Sequence, residues 1–541
     1  MKKILYIMTA VLLCSCGFLD ETPRSQLPAE DIVADNNMLY LNTLGPLYAL
    51  FGGTDFSQGL AGTYRGVYDL NTITSDEALL PTRSGDWYDG GLWQRLHLHT
   101  WNVGEGPIKD TWNYLYKVIV LANQAIEDLS GNEAWRHEAC AIRALFYYEL
   151  LDLYGNVPLV VSTRVSMADV EQSPRASVFN FVVEQLEQAC AFLPLERSNT
   201  YGTYYGRITR PVAWFLLAKL WLNAPVYAGV ENLSEVVRYC DLLAGAGYEL
   251  ESDYASNFAV FNENSRENIF VIPMDKRLYS AQNQYLFRSR HYDHAAACGF
   301  TGENGTSATL EVLEANNYRS LNQDPRFDIN YWAGQATDLN GNPVAGVIYQ
   351  PEVIALDVTG RANEKLAGAR MKKYELDPSA MKDGKLMDND WVMFRYADVL
   401  LMKAEALLRS GSAPEALALV NQVRKRAGAT PLLSLSESDL LRERMIEFAW
   451  EGWRRQDQIR FGTYTSEWSS RPELPGEVET GYTPNSGQVP CDLPRRGAPW
   501  REPQQQAERR GHVGAKRAWG ALRGLPGHTR SVGRSPLAAA T

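Results

Sequence analysis

The chain has 541 residues, 45% hydrophobic, 11% aromatic and 22% charged, which supports a large buried core and excludes global disorder, collagen and a disulfide scaffold. Its net charge of −11 is unevenly placed: residues 491–541 hold ten Lys/Arg against three Asp/Glu, leaving −18 on residues 1–490. An acidic body argues against nucleic-acid binding through a basic face, and no apolar run reaches the roughly 20 residues of a membrane-spanning helix.

Met1-Lys2-Lys3 and the apolar stretch Ile4 to Leu13 have the layout of a secretory signal. Leu13-Cys14-Ser15-Cys16-Gly17 then resembles a bacterial lipobox, with an aliphatic residue three before Cys16 and a small one directly before it. The expected signal peptide is 1–15, cut before Cys16, whose thiol takes a diacylglycerol and whose new amine is acylated. Cys14 is the poorer acceptor because bulky Leu13 precedes it. Several acyl chains at about 0.8 kcal/mol per buried CH₂ give an anchor that scarcely dissociates. The mature chain is expected to be tethered to a membrane without spanning it; the alternative is an ordinary secretory signal with incidental cysteines.

Apolar residues at 112, 115, 116, 119, 122 and 126 predict a helix over Trp112–Leu129. A second runs over Ala134–Tyr154 and stops at Gly155. Val178–Phe192, Pro211–Leu222 and Ser234–Ala246 follow, and Cys140, Cys190 and Cys240 read as small apolar side chains inside these helices. Val392–Arg409, Pro414–Arg426 and a long Ser436–Phe461 complete the set. Helix pairs in units of roughly 35–45 residues suggest tetratricopeptide-like packing. The expected fold is mainly α, its helix pairs packed against an irregular loop-rich region with short strands. The helical frame covers about 108–246 and 392–463. Loop-rich insertions cover about 47–107 and 250–390, with short apolar runs such as Ile269 to Ile272.

Three blocks carry a resemblance. The first is Leu145-Phe146-Tyr147-Tyr148-Glu149-Leu150 leading to Tyr154-Gly155-Asn156-Val157-Pro158-Leu159. The second runs from Phe394-Arg395-Tyr396-Ala397-Asp398 to Lys403-Ala404-Glu405-Ala406. The third runs from Asn421 to Gly428 and on through Glu443-Arg444, Glu447-Phe448-Ala449, Glu451-Gly452 and Arg454. Together with Phe18-Leu19-Asp20 after the lipobox, they make the chain resemble the SusD/RagB family of surface glycan-binding lipoproteins over about residues 13–465. The residues also make sense unaided. Asp398 and Glu405 with Arg395, Arg424 and Arg454 are expected to form ion pairs between helices, while Ala397, Ala404 and Ala406 admit a close neighbour.

Catalysis has no signature: GxSxG, HExxH and the phosphate-loop glycine pattern are all missing from the sequence. His291, Asp293 and His294 read as a solvated loop cluster, and Asp338 to Asn342 as a turn lacking the spacing of a calcium loop. Neither a metal nor a cofactor is expected. Binding asks for aromatic faces that stack on sugar rings. The aromatic loops offer Trp87, Tyr88 and Trp93 first, then Tyr279, Tyr285 and Tyr292, then Tyr331 and Trp332. The resemblance implies a lipid-anchored outer-membrane surface protein without chemistry of its own. It would bind an oligo- or polysaccharide and deliver it to a TonB-dependent barrel for nutrient uptake. A peptide-binding lid of the same fold and a lipid-anchored glycan hydrolase are the alternatives.

The family-like domain is expected to span 16–490. Beyond it, Arg, Gly, Ala and Pro dominate residues 491–541. That stretch is either a disordered basic tail or an out-of-frame translation. The resemblance implies an ending with Asn-Pro-Asn, and a frame one nucleotide later permits those residues at Glu502-Pro503, Pro503-Gln504 and Gln504-Gln505.

Overall fold

A computed structural model describes residues 36–52, 58–61, 64–101, 104–276, 284–353, 355–380 and 387–465. The expected signal peptide, Cys16 and the 491–541 tail lie outside the described residues, as does Tyr279. Two units partition the chain. The first, to Pro46, contributes most of the helix Asn36–Ala49. The second begins at Leu47 and holds the elements that follow.

Its frame is a row of helices, each packed on the one before. They are α1 (Gly106–Asp128), α2 (Glu133–Tyr154), α3 (Arg175–Cys190), α4 (Arg210–Tyr227) and α5 (Leu233–Gly245). The row continues across a long insertion, because α5 packs on α6 (Tyr396–Arg409) and α6 on α7 (Ala413–Arg426). Local chemistry sets the ends. Asn132 caps α2 by accepting from the Trp135 amide, and α2 stops at Gly155, whose φ of 71° a side chain would resist. Ala397, Ala404 and Ala406 are fully buried and let α6 sit close to its neighbours. Within the insertion, strands are short and paired in twos, such as Gly334–Thr337 with Pro343–Tyr349.

Two segments differ in kind from the sequence expectation. Residues 392–395 are not helical. They belong to a strand, Trp391–Arg395, paired antiparallel with Asn268–Ile272, and α6 starts at Tyr396. The long helix expected over Ser436–Phe461 is broken into α8 (Glu437–Glu447) and α9 (Arg454–Arg460). The break is tertiary in origin. Trp450 has a φ of 65° and its indole N–H donates to the Asn330 carbonyl at 3.0 Å, while Gly452 turns at φ 79° against Tyr68.

Charge is buried among these elements on an unusual scale. Arg395 donates to Glu267 at 2.7 Å, to Glu447 at 2.6 Å and to Glu451 at 2.8 Å. Arg326 and Arg426 also reach Glu447, at 2.7 and 2.5 Å. In a second knot, Asp398 holds Lys219 and Arg444, both at 2.7 Å, and Glu405 holds Arg460 at 2.7 Å. Arg454 pairs with Asp76, and Arg424 with Glu443. The five residues expected to pair are all in ion pairs, but not with one another. Asp398 and Glu405 are neutralised by Lys219, Arg444, Arg409 and Arg460, while Arg395, Arg424 and Arg454 serve other acids, several of them from outside the helical row.

These groups pull stability in opposite directions with pH. Burial alone would raise Glu447, but Arg426, Arg395 and Arg326 hold it well below the usual carboxylate range. Such a carboxylate contributes stability above its unfolded pKa of about 4, lost as pH falls toward its folded value. Burial instead pushes Glu149 up to about 8, helped by Asp152, and pushes Glu77 up to about 7. Their folded state keeps protons the unfolded chain has released, so stability falls as pH rises from about 4.5 through 7 to 8. Thermal stability is therefore expected to peak in mild acid. Glu149→Gln should raise the melting temperature at pH 8 and leave it nearly unchanged at pH 5; equal shifts at both would contradict the assignment.

Candidate functional site

The aromatic loop is built on a buried arginine. Arg83 donates to the carbonyl oxygens of Asn304, Gly305, Glu364 and Ala367 and to the Ser307 hydroxyl. Three segments, 82–84, 304–307 and 364–367, therefore meet at one guanidinium. Backbone bonds from Thr82 to Leu356 and from Val358 to Thr82 add a fourth. Beyond this anchor the loop is strained: Ser84, Trp87 and Asp89 have φ of 51°, 63° and 42°. Three non-glycine residues in the left-handed region within six positions persist only where the surroundings impose them.

Those surroundings orient the rings. The half-buried Trp87 donates its indole N–H to the Glu303 carbonyl at 2.9 Å and meets Tyr64 and Trp93 edge-on, each 6.2 Å between centroids. Gly305 lies under it: a Cβ there would stand 2.8 Å from the indole. Trp93, expected in the stacking platform, is only 1% exposed. Its indole N–H donates to Asp89 at 2.7 Å, and it supports Trp87 from below. Below both lies Arg288, fully buried, with a two-pronged contact to Asp69 at 2.8 and 2.6 Å. Its guanidinium sits 4.7 Å from the Tyr64 ring and 5.4 Å from that of Trp93.

Above this base, Tyr88 is 51% exposed. Tyr292, 37% exposed, donates its hydroxyl to Asp86 at 2.9 Å, which brings a second segment to the loop. Burial and Asp86 push the Tyr292 hydroxyl up to about 12, so it remains a donor at neutral pH. Beside them opens a shallow concavity of about 510 Å³, lined by Ser84, Thr359, Arg361, Asn363, Glu364 and Lys365 among others. Glu364 accepts from the Ser84 hydroxyl and, at 2.6 Å, from the Gly360 amide. The Lys365 ammonium reaches within 5.8 Å of the Tyr292 ring. Exposed rings next to a polar trough suit a ligand with apolar faces and many hydroxyls.

Other sequence candidates fall elsewhere. Tyr331 is buried at 3% exposure between Phe327 and Trp450, with ring centroids 5.1 and 5.5 Å away, so it is core. Trp332 is half-buried against His294, with Lys372 over its ring at 4.7 Å. The His291–His294 segment is not a solvated loop. Helix Tyr292–Ala297 turns His294 inward, where it bonds the Tyr349 hydroxyl and the Thr337 carbonyl, and burial lowers it to about 3. Asp338 closes a hairpin turn by accepting from the amides of Asn340 and Asn342. Sequence reasoning missed Arg83, Tyr64, Arg288 and Gly305; none sits in a recognisable motif.

Comparison with known proteins gives a consistent picture. Residues 18–222 match the family profile described as starch-binding and associating with the outer membrane, and residues 258–489 match that of the SusD family. The starch-binding protein SusD of Bacteroides thetaiotaomicron is 24% identical over 450 residues, 76% of this chain and 79% of that protein. SusD-like protein P2 of Formosa agariphila is 25% identical, covering 84% of this chain and 89% of its own. Among solved structures, a laminarin-binding SusD-like protein superposes with a TM-score of 0.62 at 19% identity, over 80% of this chain and 92% of that one. Surface glycan-binding protein A from Bacteroides thetaiotaomicron gives 0.63 at 20% identity, over 80% and 90%.

Proposed function

Because the chain belongs to the SusD family, we propose that it captures a glycan at the outer-membrane surface and performs no chemistry on it. One observation carries this reading: the Trp87, Tyr88 and Tyr292 rings are grouped beside a polar trough, on a loop whose strain is imposed by buried groups. A sugar ring lays its C–H face on such aromatics while its hydroxyls exchange hydrogen bonds with Asp, Asn and Lys side chains. Two relatives are named for binding starch and laminarin, which supports the ligand class. A lipid anchor on Cys16 and delivery to a TonB-dependent barrel complete the proposal.

The test is a glycan array with the soluble chain lacking residues 1–16, followed by titration of the best ligand. Stacked rings contribute about 1–3 kcal/mol each in comparable sites, so Trp87→Ala should weaken binding between about fivefold and a hundredfold. Binding of peptides instead of glycans would favour a peptide lid, and appearance of shortened oligosaccharides would reveal a hydrolase. Unchanged affinity in a folded Trp87→Ala protein would move the platform elsewhere.

A further inference from the structure

Five aromatic side chains are more than a third exposed among the described residues: Tyr88, Phe192, Tyr201, Phe261 and Tyr292. Tyr88 and Tyr292 belong to the site above. Phe192 has one face covered by His137, stacked 3.9 Å away. The remaining two, Tyr201 at 76% and Phe261 at 63%, are the most exposed of the five, and they come from loops bound to each other.

The binding between those loops is specific. The Tyr201 amide donates to the Asn264 side-chain oxygen at 3.0 Å, and the Asn264 amide donates to the Asn199 carbonyl at 2.8 Å. Arg197 reaches the Ser265 carbonyl at 2.7 Å. Beneath Phe261, Asn262 is buried and locked to both sides of Asp390, accepting from its amide at 2.8 Å and donating to its carbonyl at 3.2 Å. Tyr205, whose ring lies 5.7 Å from Tyr201, donates its hydroxyl to the Asp390 carboxylate. Phe261 itself has a φ of 59°, and Asn264 one of 66°. A bulky aromatic in the left-handed region is an outlier even where its ring is buried. Here the fold imposes that conformation and leaves the ring in water, so neither local preference nor burial accounts for it.

We propose that Tyr201 and Phe261 form a second carbohydrate-contact surface, which grips a long polysaccharide at a point outside the Trp87 site. The surroundings favour sugar over protein. The same two loops also present Gly202, Thr203, Asn264 and Arg266 to solvent, a small and polar setting unlike the apolar centre of a protein interface. Two exposed aromatic faces on loops that also carry Asn264 and Glu263 match a ring that presents C–H bonds on its face and hydroxyls at its edge. The gain is avidity: a polymer held at two points dissociates more slowly than one held at either. This inference rests on the glycan-binding reading.

Affinity electrophoresis separates the two. Wild type, Trp87→Ala and the double variant Tyr201→Ala/Phe261→Ala are run through gels containing amylopectin, laminarin, xylan or pectin, and each is titrated with short oligosaccharides of the retained polymer. Both replaced rings are mostly in solvent, so the double variant should melt with the wild type; should it not, Tyr201→Ala alone carries the test. The expected result is retention by the polysaccharide weakened about fivefold or more in the double variant, with oligosaccharide affinity at the Trp87 site unchanged. Unchanged retention overturns the second surface while leaving the first intact. Equal loss for polymer and oligosaccharide overturns its independence, and a wild type retained by no polymer overturns both.

Discussion

Replacing Arg395 with Met is expected to lower the free energy of unfolding by about 3–5 kcal/mol, the usual cost of removing one partner from a buried ion pair. Arg395 is 1% exposed and serves three carboxylates, Glu267, Glu447 and Glu451. Its loss leaves four cationic partners, Arg326, Arg426, Arg424 and Lys373, divided among the acids around them, and among the described residues Glu451 keeps Lys373 alone. A Met side chain fills much of the space but supplies none of the five donors of the guanidinium. Arg395→Lys should rescue little, because a single ammonium cannot reproduce the fork that spans Glu447 and Glu451. Urea unfolding at neutral pH measures this. A Met variant with the wild-type midpoint would mean that the knot is not what holds the 391–395 strand to the C-terminal helices.

The second large effect joins stability to binding. Arg288→Met leaves Asp69 fully buried without its two-pronged partner and takes the cation from beneath Tyr64 and Trp93. Unfolding should become easier by about 3–5 kcal/mol, and glycan affinity should fall although Arg288 touches no solvent. The companion Asp69→Asn/Arg288→Met removes both charges and should recover much of the stability. It should not recover the affinity, since the rings remain unsupported. If stability and affinity return together in the double variant, the arginine acts through folding alone.

How far the sequence speaks depends on whether a feature is local. The α1 to α5 helices announce themselves because each carries its own apolar stripe and stop signal, as with Gly155 after α2. The 436–461 segment misleads because its break is dictated from far away, by Asn330 on the Trp450 indole and Tyr68 against Gly452. Likewise Val392 to Arg395 read as helix until Asn268–Ile272 supplies a partner strand. At the site, Trp87 and Tyr88 are visible as aromatics in a Gly- and Asp-rich loop. Trp93 looks the same in the sequence and is buried, because the α-helical turn Leu92–His97 directs it inward. Arg83 is invisible for a different reason. It works through backbone carbonyls, which every residue possesses, so no spacing of side chains betrays it.

The short α9 helix also has something to say about the order in which the molecule is made. Arg454, Arg455 and Arg460 complete Asp76, Asp152 and Glu405, which precede them by 378, 303 and 55 positions. The Tyr68 hydroxyl waits as long for the Trp450 carbonyl, 382 positions away. A chain emerging from a ribosome or a translocation channel can assemble the helical row from its N-terminal side. Yet Asp76 and Asp152, destined for the interior, stay without their arginines until residue 455 has appeared, and Glu405, already beside Arg409, gains Arg460 last. Closure is thus a late, long-range event of the kind that slows folding. A product cut short before α9 would carry those acids into a core that cannot accept them, and would be left open to proteolysis. The α9 helix thereby acts as a check that the chain has arrived through residue 460.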